Sequence, residues 1–207
     1  MIKSIAKIIL GSKYEFFRYR YQKYKDGIKH YLSIKKRKKN DAKIILSYRE
    51  RFNPNIFIET GTYKGDVLNL VKKSFDEIYS IELGEKLYKK ALQRFRKDKH
   101  IKLFLGDSGI VLSKILVDVN ESVLFWLDAH YSKADTVCGD IPTPIEKELE
   151  IIFSHKIKNH VILIDDARCF TGNDGYPTVE TISNLANMNG YSCEVKDDKF
   201  RLTSSCQ

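Results

Sequence analysis

Asp128, His130, Asp165 and Asp166 are the residues of this 207-residue chain whose types and spacing best suit chemistry. Asp128 closes the apolar run SVLFWLD at 122–128, and Asp165-Asp166 follows a second run, HVILID at 160–165. If the runs are neighbouring strands, three carboxylates converge beyond their ends. Carboxylates so close repel and raise one another's pKa unless a cation sits among them. A hard divalent ion such as Mg²⁺, with oxygen ligands and retained waters, fits that donor set. It would hold substrate oxygens and acidify an attacking hydroxyl. His130, two residues past Asp128, is placed to take that proton, its ordinary pKa being near 6.5. The competing reading of Asp165-Asp166 is a capping pair in a turn. His30, His100, His155 and His160 read as structural.

A second constellation lies upstream. The run NIFIE at 55–59 leads into Glu59-Thr60-Gly61-Thr62-Tyr63-Lys64-Gly65. Gly61 allows a tight turn and close approach to a ligand, and Gly65 allows close packing where a helix begins. The spacing is GxxxG and not the GxGxxG of dinucleotide sites, which counts against a nicotinamide-dependent nucleotide-sugar oxidoreductase. An acid at the start of the loop suits the ammonium and sulfonium of S-adenosylmethionine better than a pyrophosphate. Glu82 closes the run EIYSIE 23 residues after Glu59 and is placed to accept from two ribose hydroxyls. Asp107-Ser108 follows IKLFL at 101–105, where the carboxylate can accept from an adenine amino group or cap a helix. Three acids at successive strand ends, in step with a glycine loop, predict an adenosyl-donor pocket.

Candidates for substrate contact surround the two clusters. Tyr131, Ser132 and Lys133 lead into 134–144, a Gly/Pro/Thr-containing stretch read as a lid. Arg168 suits a phosphate or carboxylate, and Tyr176 lies in a second loop, 170–177.

The elements that must position these residues alternate along the chain. Strands at 55–59, 77–82, 101–105, 122–128 and 160–165 alternate with helices at 66–74, 85–97, 109–116 and 144–154. A helix near 179–187, an Asn189-Gly190 turn and strands at 191–195 and 200–203 follow, with Asp197-Asp198 as the hairpin turn. The expected fold class is α/β: a doubly wound, Rossmann-like sheet of seven strands, the last antiparallel, with an N-terminal helical extension. Ligands in such sheets sit at the carboxyl ends of the strands.

Charge divides the chain. Residues 1–50 carry 15 Lys/Arg against 4 Asp/Glu (+11), so 51–207 carries about −2 of the net +9. We read 1–50 as a basic helical arm and 51–207 as the catalytic domain. The arm has Gly11 and Gly27 as potential breakers, apolar residues at helical spacing, and the run Lys35-Lys36-Arg37-Lys38-Lys39. It reads as a solvated face, a peripheral membrane contact or a subunit interface in a homo-oligomer. Nucleic acid is not expected, since no recognised motif accompanies the charge. No apolar run spans a bilayer. No secretory signal is evident, and four scattered cysteines suggest thiols, so a cytoplasmic location is expected.

The segments FIETGTYKG, YSIEL, GDSG, FWLDAHYS and VILIDDAR together resemble a bacterial class I methyltransferase family, often found among surface-glycan genes. LDAHYS and IDDAR also resemble the metal-dependent sugar O-methyltransferases of the macrocin type. By that resemblance Asp128, Asp165 and Asp166 are metal ligands and His130 the base. The acceptor is then a small molecule or glycan precursor carrying a sugar hydroxyl. The resemblance covers about 54–203. The chain departs from the macrocin type in its histidine at the base position and in its lid. Metal-independent transfer, and transfer to a phosphate or phosphoramidate oxygen, stand as alternatives.

Overall fold

A computed structural model describes residues 2–128 and 143–205, with the backbone alone for 2–14, 16 and 17. Seven strands form one sheet: β1 (Ile56–Thr60), β2 (Glu77–Glu82), β3 (Ile101–Leu105), β4 (Val123–Leu127), β5 (Val161–Ile164), β6 (Tyr191–Lys196) and β7 (Lys199–Ser204). Their order is β3-β2-β1-β4-β5-β7-β6, with β7 antiparallel to both neighbours and the other pairings parallel. The sequence expectation of one antiparallel last strand holds. Strands β1, β4 and β5 are buried at every position, as their unbroken apolar runs require of strands covered on both faces. The edge strands β3 and β6 are partly exposed.

Helices α2 (Asp66–Val71), α3 (Glu85–Phe95), α4 (Ser108–Leu116), α5 (Ile145–Ser154) and α6 (Val179–Met188) cover the two faces. On one face Phe57, Ile78, Leu124 and Trp126 pack with Leu68, Val71 and Phe95 from α2 and α3. On the other, Ile58, Ile81, Phe125 and Ile162 pack with Leu112, Leu149 and Ile182 from α4, α5 and α6. The β6–β7 turn is Asp197-Asp198, with φ of 52° and 62°. Positive φ at both positions is what a two-residue hairpin of right-handed twist demands, and aspartate tolerates it.

At the amino ends of β4 and β5 two buried histidines form a chain. The Val123 N–H donates to His160 Nδ1 at 3.1 Å, so the His160 proton sits on Nε2, 2.9 Å from His155 Nδ1. His155 Nε2 in turn faces the Leu116 and Val119 carbonyls at 3.1 and 3.2 Å. Burial, with positive charge nearby, pushes the His160 pKa down to about 3, and burial lowers that of His155. Both fit the structural role expected of them.

One long helix, α1 (Ile2–Phe52), runs through Gly11 and Gly27. A glycine costs a helix about 1 kcal/mol against alanine, a price helical neighbours can absorb. The chain divides after Asp41 into two compact units, Met1–Asp41 and Ala42–Gln207. Ala42 and Ile45, on the last turns of α1, are buried in the core of the larger unit. Among the described residues no helix is long and apolar enough to cross a membrane.

Candidate functional site

Strand order reverses between β1 and β4, so the carboxyl ends of these strands open a crevice there. The glycine loop on its β1 side is held by its own backbone. The Gly61 and Thr62 amides donate to the Ile81 carbonyl at 2.9 and 3.1 Å, and Gly65 N–H donates to Thr62 O at 2.7 Å. Gly65 has φ +67°, and a Cβ there would stand 2.6 Å from the Phe95 ring, so loop and α3 meet at a distance only glycine allows.

The acids on this side brace the loop. Glu59 is buried, and its Oε2 accepts from Ser80 Oγ at 2.7 Å, with Thr62 Oγ1 2.6 Å from the same hydroxyl. Glu82, also buried, accepts from the Tyr63 amide (2.7 Å) on one oxygen and the Gly84 amide (2.8 Å) on the other. A carboxylate offers about four acceptor directions, so two such bonds leave Glu82 capacity for a diol. Asp107 is exposed and caps α4, Oδ1 accepting from Gly109 N–H at 2.7 Å. Both of its readings are compatible, since one oxygen caps. Ser108 is buried beside it, and Thr60 is fully buried.

The β4–β5 side is different in kind. Asp128 continues the ladder through its N–H to Thr60 O (3.1 Å), and Asp165 through its N–H to Leu127 O (3.0 Å). Asp128, Asp165 and Asp166 each present a carboxylate oxygen, all within 4.8 Å of one another. Asp166 holds a left-handed backbone, φ 58°, and its N–H donates to Asp165 Oδ1 at 2.9 Å. Two cations stand against the cluster. Lys199 Nζ, buried on β7 and 5.7 Å from the Trp126 ring, lies 3.0 Å from Asp165 Oδ1. Arg168 Nη1 lies 2.6 Å from Asp166 Oδ1 and also bonds Asp198. Arg168, expected as a substrate clamp, has its guanidinium engaged by these two aspartates.

The acid cluster opens on a pocket whose wall includes Glu148, Phe170 and Tyr176. Tyr176 stands edge-on to Phe170, ring centroids 5.5 Å apart. Glu148 escaped the sequence reading. It is 1% exposed, and burial pushes its pKa up to about 7; the Ser108 and Thr60 hydroxyls act in the other direction, and the Asp107 charge with the burial. A signal existed: positions 145, 148, 149 and 152 form the buried stripe of α5, with one acid among its apolar residues. Lys199 was missed too, because an alternating KFRLTS strand gives no sign which face is covered. His130 and Tyr131, with Ser132, Lys133 and most of the expected lid, lie outside the described residues.

No family profile matches the sequence, and no curated protein matches it. Solved structures do match the fold. The O-methyltransferase of tomaymycin synthesis from Streptomyces achromogenes, in complex with SAM, is 14% identical with a TM-score of 0.56, over 80% of each chain. A putative caffeoyl-CoA O-methyltransferase from Staphylococcus aureus is 13% identical with a TM-score of 0.55, over 79% of this chain and 83% of that one. An SAM-bound amino pentose methyltransferase of calicheamicin biosynthesis from Micromonospora echinaspora is 12% identical with a TM-score of 0.54, over 81% and 90%. This chain therefore has the Rossmann-like fold of the class I methyltransferases.

Proposed function

We propose that this protein is an S-adenosylmethionine-dependent O-methyltransferase acting on a sugar hydroxyl of a surface-glycan precursor. The observation that carries the reading is the register of acids with strand ends. Glu59 is the penultimate residue of β1, Glu82 the last of β2, and Asp107 follows β3 beside the glycine loop, while Asp128 and Asp165-Asp166 follow β4 and β5. Methyltransferases of the same fold, one acting on an amino pentose, support it.

The donor supplies an electrophilic methyl carbon on a sulfonium. For its binding, Glu59 fixes the β1 end of the loop and adds negative charge beneath it. Glu82 ties the loop to β2 and has acceptor capacity for a ribose diol. Asp107 and Ser108 stand where an adenine edge would be read, and Thr60, Gly61 and Gly65 set the backbone path. The crevice between β1 and β4 aligns donor and nucleophile, and alignment alone is worth several kcal/mol.

Asp128, Asp165 and Asp166 would hold a divalent cation. Three carboxylate oxygens within 4.8 Å of one another are the hard donors that such a cation takes. Such an ion would supply Lewis acidity at the acceptor oxygen. His130 is assigned the proton from its place two residues after Asp128. Tyr131 and Tyr176, with Arg168 at the rim, are assigned to the acceptor.

A metal-independent variant has its own support, since Lys199 and Arg168 already face Asp165 and Asp166. In that variant the aspartates orient the acceptor directly. Calorimetry with S-adenosylhomocysteine and with NAD, then methyl transfer from labelled donor to a panel of nucleotide sugars with Mg²⁺ or EDTA, tests both. Binding of NAD instead of S-adenosylhomocysteine defeats the proposal. Turnover that survives EDTA and Asp128→Ala defeats its metal part.

A further inference from the structure

The helical arm carries a surface that methyl transfer does not use. Tyr21, Tyr24, Ile28 and Tyr31 stand at i, i+3, i+7 and i+10 of α1, a spacing that lines one side of a helix. They are 59%, 66%, 41% and 62% exposed, and Leu32 and Ile34 widen the stripe. Arg20 borders it on one side, Arg18 and Lys25 on the other, and Lys25 Nζ lies 4.7 Å from the Tyr21 ring centroid. Asp26, the one acid between residues 16 and 40, falls on the opposite side, about 200° from Tyr24 at 3.6 residues per turn. There it accepts from Gln22 Nε2 at 3.0 Å. The run Lys35-Lys36-Arg37-Lys38-Lys39 follows on the same helix.

We propose that this side of α1 docks on an anionic bilayer surface, with the tyrosine rings at headgroup level and the bordering cations against acidic lipids. Charge selects that occupant. A second copy of the chain would bring Arg18, Arg20 and Lys25 against an identical set of cations. Tyrosine at three of four seam positions also packs poorly as knobs into holes, which favour Leu, Ile and Val. At a bilayer interface the same residues are well placed, because an amphipathic ring has one apolar and one wet end. Stripe, cationic borders and an acid turned away are the layout of an interfacial helix. Residues 18–34 would lie along about 25 Å of membrane.

The experiment is sedimentation of the full-length protein with vesicles of phosphatidylcholine, or of phosphatidylcholine and phosphatidylglycerol in equal parts. Binding is expected to the anionic vesicles alone, and to weaken with salt. A basic residue near such a surface strengthens partitioning about fivefold. Arg18→Gln/Arg20→Gln/Lys25→Gln should therefore bind about a hundredfold more weakly. Tyr21→Ser/Tyr24→Ser/Tyr31→Ser should also lose binding at unchanged charge, which separates the stripe from net basicity. Helical circular dichroism and unchanged melting verify that the variants fold. The proposal is overturned by equal binding to neutral vesicles, by no binding to either, or by undiminished binding of the tyrosine variant. Light scattering that shows a dimer dissolved by the tyrosine variant overturns it, as does preferential capture of single-stranded RNA. None of these outcomes depends on whether the chain transfers methyl groups.

Discussion

The two halves of the crevice spend their acids differently. On the β1–β3 side Glu59, Glu82 and Asp107 each accept hydrogen bonds from the chain itself, mostly from amides of the loops they brace. On the β4–β5 side three aspartates and the buried Glu148 line or adjoin one pocket, against two cationic side chains. The first half is a finished cradle whose shape is fixed before a ligand arrives. The second stores negative charge in a poorly solvated place, where it is costly unless something else is bound. On the proposed reading, donor recognition would rest on the first half's preformed geometry, and acceptor chemistry on the charge of the second.

The largest expected effects separate the halves by what each binds. Glu82→Ala removes the acceptor of two amide bonds and, on the proposed reading, the site for a diol. Charged hydrogen bonds contribute about 1.5–3 kcal/mol each, so affinity for S-adenosylhomocysteine should fall about a hundredfold or more by calorimetry. Asp165→Asn should change that affinity by less than about threefold, because it touches the other half. If the two variants lose affinity alike, the division into halves is wrong.

Glu148→Gln tests whether the second half is strained. Because burial raises the Glu148 pKa from 4.5 to about 7, its stabilising protonated form is fully present below pH 4.5 and is lost as the pH rises through 7. The variant, which cannot ionise, should be more stable than the parent by about 3 kcal/mol at pH 8. Most of that gain should vanish at pH 5. Urea denaturation at the two pH values measures it, and an equal difference at both would mean the carboxyl is not buried as described.

The strand ends that carry Glu59, Glu82 and Asp107 were legible in the sequence because their signals are local. A strand, a glycine loop and an acid at the strand end lie within a dozen residues, and short apolar runs placed the ends of β1, β2 and β3 to within a residue. Asp128 and Asp165-Asp166 were legible for the same reason, each closing an apolar run. What escaped came from packing between distant segments. Lys199 reaches Asp165 only because β7 inserts next to β5, and no run of residues announces which strand lies beside which. Glu148 needed the buried side of α5 to meet Thr60 and Ser108. The capping role of Asp107 was foreseen as an alternative; Arg168 as a partner of Asp166 and Asp198 was not, since a hairpin tip 30 residues away supplies the second aspartate.

The His155–His160 pair lies at the far end of the same strands and sharpens the contrast through pH of opposite sign. Its buried neutral imidazoles make protonation unfavourable in the folded state. With the His160 pKa lowered from 6.5 to about 3, its contribution is present above pH 6.5 and is lost as the pH falls toward 3. Between pH 7.5 and 5 that amounts to about 2 kcal/mol. In the parent, protonation of Glu148 contributes about 2 kcal/mol of opposite sign over the same window and so offsets this loss. Glu148→Gln should therefore expose acid sensitivity, and adding His160→Gln should flatten the profile again. A double variant as acid-sensitive as Glu148→Gln alone would place the titration elsewhere.

The smallest expected effect decides how the acceptor half satisfies its charge. Among the described residues Lys199 and Arg168 face the three aspartates, and Arg168 is shared with Asp198, so the cluster keeps a net negative charge. On the proposed reading that charge would be met by a divalent ion, which at ten times its dissociation constant would stabilise the fold by about 1.4 kcal/mol. Melting with millimolar Mg²⁺ or Mn²⁺ should show that modest rise, and Asp128→Asn should abolish it. Lys199→Met should enlarge it, because Asp165 then lacks its cation and the ion takes over. The built-in cations and the added one compete for the same carboxylates. If neither variant alters the metal response, the aspartates do not hold the ion, and Lys199 and Arg168 are the counter-charges that acceptor binding relies on.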